Sequence, residues 1–249
     1  MSTMINTDGN SFHGDVVRVV VFGDTHEHHR DVAVPAGDLL IHVGDITRNS
    51  FSPRAVQDFD AWLRQLPHRH KIVIPGNHDY GLADPAWQRL ITSAILLINN
   101  GVELMGLKIW GTPITPVDHG HFGGATAADR EAQFRRIPDE TNILISHGPP
   151  FGILDQEQSS SVPQGCNQLL AAVTRIRPSL HVFGHIHGAY GSREIRETLF
   201  VNCAVADRSG HPVKDPHVLD LRCEECDMFR DKNAKSHGLQ VPQSSPQSR

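Results

Sequence analysis

The residues of this chain best suited to chemistry come in short runs in one order: Gly23-Asp24-Thr25-His26, Gly44-Asp45, Gly76-Asn77-His78-Asp79, Ser146-His147-Gly148 and Gly184-His185-Ile186-His187. Each run directly follows an apolar, strand-like segment. Asp24 and His26 are two positions apart, as are His185 and His187. Residues so spaced on an extended chain point the same way, so each pair can face one metal cluster. The preceding glycines allow a sharp turn at the strand end, where a Cβ would crowd the site. Carboxylate, imidazole and one amide oxygen suit manganese, iron or zinc. No thiolate sits among these motifs, so a structural zinc–cysteine site is not indicated. The pattern fits two divalent ions held side by side above the ends of a β-sheet, and Asp45, with two oxygens, is the natural bridge between them. Two cations that close acidify an intervening water to hydroxide and neutralise phosphate oxygens, which is the chemistry of phosphate-ester hydrolysis. His78, beside Asn77, is a candidate to give a proton to the leaving oxygen, with Asp79 orienting it through its other ring nitrogen. The bland alternative is that His78 and Asp79 only shape the turn after Ile74-Pro75.

The elements that must position these groups read as strands alternating with helices. Val16–Phe22 has the character of a strand buried on both faces, and Leu39–Val43, Lys71–Ile74, Asn142–Ile145 and Leu180–Phe183 resemble it. Ser52-Pro53 opens a helix as N-cap and first helical residue, with Val56, Phe59, Trp62, Leu63 and Leu66 as its apolar stripe. Further helices are expected over Pro85–Thr92, Thr126–Arg136 and Cys166–Arg177. Ligands at strand C-termini fit the binding edge of an α/β sheet. Strand candidates at Leu107–Trp110, Thr198–Asn202 and His217–Leu221 imply a larger mixed sheet or two packed sheets.

The chain's 249 residues suit one large α/β domain, expected over residues 15–222 between a flexible N-terminus at 1–14 and a polar tail at 223–249. Its formal charge of −5 argues against a general nucleic-acid coat, so no extended nucleic acid is expected as a partner. No membrane partner is expected either, since no apolar stretch approaches a bilayer's span. The N-terminus lacks a signal-peptide pattern, and four scattered cysteines make no disulfide scaffold, so a cytoplasmic address is expected. Cys223-x-x-Cys226 has no second pair downstream and is weak evidence for zinc or redox chemistry.

Taken together, D-x-H, G-D, G-N-H-D, H and G-H-x-H resemble the motif set of the calcineurin-like metallophosphoesterase superfamily. The resemblance implies a four-layer α/β/β/α sandwich of two mixed sheets flanked by helices. It further implies Asp24, His26 and His187 on a first metal, Asn77, His147 and His185 on a second, Asp45 bridging, and His78 as acid or transition-state stabiliser. Leu39–Asp45, Lys71–His78, His147–Gly152 and Arg177–His187 are similar to the metallophosphoesterase-domain-containing (MPPED) family. That similarity implies a phosphodiesterase, several relatives acting on 2′,3′- or 3′,5′-cyclic nucleotides. Some animal members carry glycine where this chain has His185, so the resemblance implies a fully armed site here. The D-R-G element common among protein Ser/Thr phosphatases is absent after Asp45, and Glu27 stands where glycine usually follows D-x-H.

Several residues are weaker candidates for touching a small phosphodiester or nucleotide substrate. Gly148 and Pro149 would form a stiff wall beside a ligand. Phe122, in a long Gly/Pro loop with His119 and His121, would stack on a base. Arg48 is the cation nearest a ligand motif and would pair with a phosphate oxygen. His42 and His181 sit inside apolar strands and read as core histidines. Three rivals stand beside the phosphodiesterase: a phosphomonoesterase, which needs extra cations not evident near the motifs; a nuclease, which needs a basic track; and a metal-bound scaffold without turnover.

Overall fold

The computed structural model describes residues 16–50, 52–116, 122, 126–157, 160 and 162–222. The expected N-terminal stretch, the polar tail, Cys223, Cys226, His119 and His121 lie outside the described residues.

The first β-branched run forms β1 (Val16–Phe22), and it is followed by β2 (Leu39–His42), α1 (Pro53–Leu63), β3 (His70–Val73), α2 (Pro85–Gln88) and β4 (Ile95–Leu96). The second half contains β5 (Asn100–Leu104), β6 (Leu107–Thr112), α3 (Ala127–Phe134), β7 (Ile143–Ser146), α4 (Asn167–Ile176), β8 (Leu180–Phe183), β9 (Gly191–Ile195), β10 (Thr198–Asn202) and β11 (His217–Arg222). Among the described residues these strands make two sheets, ordered β11-β1-β2-β3-β4 and β5-β6-β7-β8-β10-β9. Strands β1 to β4 run parallel, as do β6, β7, β8 and β10, while β11, β5 and β9 join antiparallel at the edges.

The period-two alternation of side chains sorts the core into three interfaces. Val19, Val21, Leu39, Ile41 and Ile72 of the first sheet face Ile109, Ile143, Ile145, Val182 and Val201 of the second. On the outer face of the first sheet, Val20, Phe22, Leu40 and Val73 pack on Val56, Phe59, Trp62 and Leu63 of α1. On the outer face of the second, Leu144, Phe183 and Phe200 pack on Phe134 of α3 and on Leu169, Val173 and Ile176 of α4. The result is the four-layer α/β/β/α sandwich.

Local signals explain most element ends. Ser52 Oγ accepts from Arg54 N at 3.2 Å with Pro53 next, so the first helix starts where the sequence places it. Leu66 lies past its end and is half-buried. Thr126 and Asp129 form a reciprocal capping box at α3. The expected helix over Pro85–Thr92 stops at Gln88, because Thr92 and Ser93 turn back to donate their amides, each at 2.7 Å, to the buried carboxylate of Asp60 on α1. The strand β1 is fully enclosed only in its second half; Val16 and Arg18 are exposed, with Arg18 paired to Asp220 at 2.9 Å. The two sheets are also sewn together by backbone: Gly23 N donates to Cys203 O and Val205 N to Gly23 O, both at 3.1 Å. This seam lies at the carboxyl ends of β1 and β10, where the ligand-bearing loops emerge. No helix of the described residues is long and apolar enough to cross a membrane.

Candidate metal centre

Each of the motif loops leaves the carboxyl end of a parallel strand, and neighbouring loops are tied by backbone bonds. Asp24 N donates to Gly44 O at 2.8 Å, His26 N to Asp45 O at 2.9 Å, and Gly184 N to His147 O at 2.9 Å. The turns are sharp enough to put Asp24 (φ 58°), His26 (φ 44°), Asp45 (φ 54°) and His185 (φ 69°) in the left-handed region, which L residues rarely adopt. Two glycines let backbone approach the carboxylates. A Cβ on Gly184 would lie 2.0 Å from Asp24 Oδ2, and one on Gly76 would lie 2.1 Å from Asp45 Oδ1.

The side chains so positioned gather in three overlapping groups, within each of which the donor atoms lie within 4.8 Å of one another: Asp24, His26 and His187; His26, Asp45 and His78; Asp45, His147 and His185. Asn77 joins the third, its Oδ1 standing 2.9 Å from His147 Nε2. Asp45 is common to two groups. The fold therefore brings together every residue that the sequence motifs nominate as a ligand.

Hydrogen bonding tests whether these residues fit a cation. His147 Nδ1 donates to Val43 O and His187 Nδ1 to Asp207 O, each at 2.8 Å. In the neutral rings this leaves the Nε2 lone pairs pointing inward. His147 Nε2 then faces Asp45 Oδ1 at 3.4 Å and the Asn77 oxygen, while His187 Nε2 faces Asp24 Oδ1 and His26 Nε2, both at 3.3 Å. Buried Asp24 Oδ2 has no hydrogen-bond partner among the described residues. Lone pairs converging on lone pairs in a buried site require positive charge between them. Divalent cations meet that need, and this donor set, hard oxygen with borderline nitrogen and no sulfur, fits them.

The electrostatics carry the same demand. Burial alone would raise the Asp45 carboxyl, but His147 and His26 facing it hold it far below the usual carboxylate range. Burial would lower His147, yet the Asp45 charge lifts it to about 9. The His185 ring, removed from solvent and beside His147, is pushed down to about 4 by desolvation.

His78 is half-buried beside His26, the rings 4.9 Å apart and edge-on. Its Nδ1 is held by the carbonyl of Arg48. Asp79 does not orient it. That carboxylate is fully buried and accepts from Ile46 N, Thr47 N, Thr47 Oγ1 and Gly76 N at 2.8–3.0 Å, so it fastens the loop after β2 to the loop after β3. Adjacent residues in a tight loop face opposite ways, which corrects the expected pairing of His78 with Asp79.

Two further expectations are corrected. Phe122 is 9% exposed and packs in the cluster between the first sheet and α1, where it cannot stack on a base. Gly148 and Pro149 are buried, their carbonyls taken by Ser146 Oγ at 2.7 Å and Cys166 N at 3.0 Å, and neither forms a substrate wall. His42 and His181 are core histidines as expected, bonded to Thr25 Oγ1 at 3.1 Å and Ser146 Oγ at 2.8 Å. The cleft beside the cluster, of about 250 Å³, is lined by His26, Arg48, Asn49, His78, His187, Arg208, Ser209 and Gly210. Arg208 and its neighbours were not anticipated. The absence of extra cations, inferred from residues next to the motifs, is thereby corrected: a second arginine arrives from the turn after β10. The Asp207–Gly210 turn was visible in the sequence, but nothing local ties it to the site.

A four-layer sandwich with a buried carboxylate–imidazole cluster at its shared strand ends defines a metal-dependent phosphoester hydrolase. The family model described as calcineurin-like phosphoesterase matches residues 17–189, and the chain belongs to this metallophosphoesterase family. Human metallophosphoesterase domain-containing protein 1 is 36% identical over 231 residues, which span 82% of this chain and 71% of that protein. UPF0046 protein K07C11.7 of Caenorhabditis elegans is 33% identical over 229 residues, covering 86% and 77%. Among solved structures, TT1561 of Thermus thermophilus superposes with a TM-score of 0.53 at 12% identity, covering 84% of this chain and 99% of that one, a likeness of fold alone.

Proposed function

We propose that this hydrolase is a phosphodiesterase of small phosphodiesters, 2′,3′- or 3′,5′-cyclic nucleotides among them. The observation that carries the reading is the placement of His78. It lies in one cluster with His26 and Asp45, at the cleft and not in the core. The Arg48 carbonyl accepts from Nδ1–H, so a second ring proton sits at Nε2, and that imidazolium N–H is the one to pass to a departing alkoxide. Asp24, His26 and His187 would hold one cation, and Asn77, His147 and His185 the other, with Asp45 shared. Manganese or iron, with zinc as an alternative, would supply an activated water and neutralise the phosphoryl oxygens. The chain's own contribution is placement: Val43 O and Asp207 O set the tautomers of His147 and His187, and Asp79 locks together the loops that carry Asp45 and Asn77.

The cleft's size suits one small ester better than a polyanion track, and the resemblance to MPPED proteins supports cyclic nucleotides. A phosphomonoesterase on the same centre is the second reading, and Arg48 with Arg208 is the observation that favours it, since a monoester carries additional charge. Chelator-stripped protein titrated with Mn²⁺ on bis(p-nitrophenyl) phosphate and p-nitrophenyl phosphate separates them. Metal-dependent cleavage favouring the diester supports the first; preference for the monoester moves the assignment to a phosphatase. Metal uptake without turnover on either leaves a scaffold.

A further inference from the structure

We propose that Arg48 and Arg208 hold a second phosphate of the substrate, so that the preferred ester is a nucleotide carrying a phosphate besides the one that is cleaved. This rests on the phosphoesterase reading of the adjoining cluster and specifies its substrate class.

The chain has 28 acidic and 23 basic side chains, yet among the described residues those lining the cleft include two guanidinium groups and no carboxylate. They come from separate loops, Arg48 after β2 and Arg208 after β10. Depth distinguishes them from the reacting centre. Asp24, His26, Asp45 and His147 are buried, His78 and His187 are half-buried, and Arg48 and Arg208 are exposed at the rim. A group they reach lies farther out than the phosphorus held among the floor residues.

Arg48 is also set in place. Its Nε donates to His26 O at 3.3 Å and its Nη2 to His28 Nε2 at 2.5 Å. The other nitrogen of that ring, Nδ1, stands 3.3 Å from Asp31 Oδ2, and an N–H there donating to that carboxylate leaves Nε2 as the acceptor for Arg48. Across the cleft, Arg208 is paired with Glu157 at 3.5 Å, and Glu157 in turn accepts from Gly188 N, next to the ligand His187. Asn49 and Ser209 flank the two arginines with neutral polar side chains. A planar guanidinium matches a phosphate's oxygens with parallel hydrogen bonds, and two of them facing one cleft select an oxyanion over a neutral sugar or base.

The test compares ligands differing by one phosphate, bound to Mn²⁺-loaded protein by calorimetry: adenosine 3′-monophosphate against adenosine 3′,5′-bisphosphate. The bisphosphate is expected to bind roughly tenfold tighter or more. That ratio should fall toward one in Arg48→Gln and Arg208→Gln, and Arg→Lys should keep part of it. A wild-type ratio near one, or a ratio unchanged in both variants, overturns the proposal. So does an equal loss of affinity for both ligands, which would assign the arginines to the phosphate that reacts. Hydrolysis of 2′,3′-cyclic AMP with and without a 5′-phosphate is measured separately. An intact binding preference without any turnover sinks the phosphodiesterase and leaves the second-phosphate site standing; turnover without preference does the reverse.

Discussion

Gly184 shows how little room the cluster leaves. A methyl group there would press on the one Asp24 oxygen that has no partner among the described residues, the atom best placed to bind a cation. Gly184→Ala is therefore expected to weaken Mn²⁺ binding about tenfold or more, read by competition with a chromogenic chelator; unchanged affinity would remove Asp24 from the ligand set. His78 makes the opposite case. Its half-buried ring supports no core packing, so His78→Ala should lower kcat on a diester by at least about 10²-fold while shifting Tm only slightly. Near-normal turnover would discard it as the proton donor. The ligand residues were legible because types and spacing repeat at each strand end. The direction of a side chain within a loop was not. Nothing in Asn77-His78-Asp79 says that His78 turns outward while Asp79 turns under the loops to serve four donors.

Among elements, the inner strands announced themselves through continuous β-branched and aliphatic runs, because both of their faces are covered. Of the edge strands among the described residues, β11 did, and β4, β5 and β9 did not. Strand β9, Gly-Ser-Arg-Glu-Ile, is mostly exposed and pairs on one side with β10, while β5 begins with Asn-Gly and pairs with β6, so neither needs an apolar run. Aspartate on a helix also hides its purpose. Asp60 looks like a solvent-facing residue of α1, yet it is 4% exposed and accepts from Thr92 and Ser93 amides, Thr92 Oγ1 and Arg64. Asp60→Ala removes a charged acceptor from four donors and should cost about 2 kcal/mol in urea-induced unfolding. A change of a few tenths would show that the segment before β4 holds without this tie.

The whole molecule carries a pH dependence built on its two core histidines, one on the outer face of each sheet. His42 lies against Phe59 and Phe22, and His181 against Phe183 and Phe200. Burial holds both at about 3 when folded, against an ordinary value near 6.5. The unfolded chain binds protons in that window and the folded chain does not, so the stability these rings lend is complete above about 6.5 and drains as pH falls toward 3. The loss is about 1.4 kcal/mol per pH unit for each ring. His181→Phe should flatten the fall of Tm between about pH 6 and 4 by one ring's share; an unaltered slope would mean that acid lability arises elsewhere. The four ligands in left-handed backbone carry a different consequence for the chain's history. Each costs of order 1–2 kcal/mol relative to a relaxed residue. Asparagine or glycine at 24 or 45 would relieve part of that cost while removing the charge on which the chemistry depends. A lineage selected for heat resistance alone would lose its catalyst first, and descendants that keep the sandwich but not the aspartates should melt higher than their working ancestor.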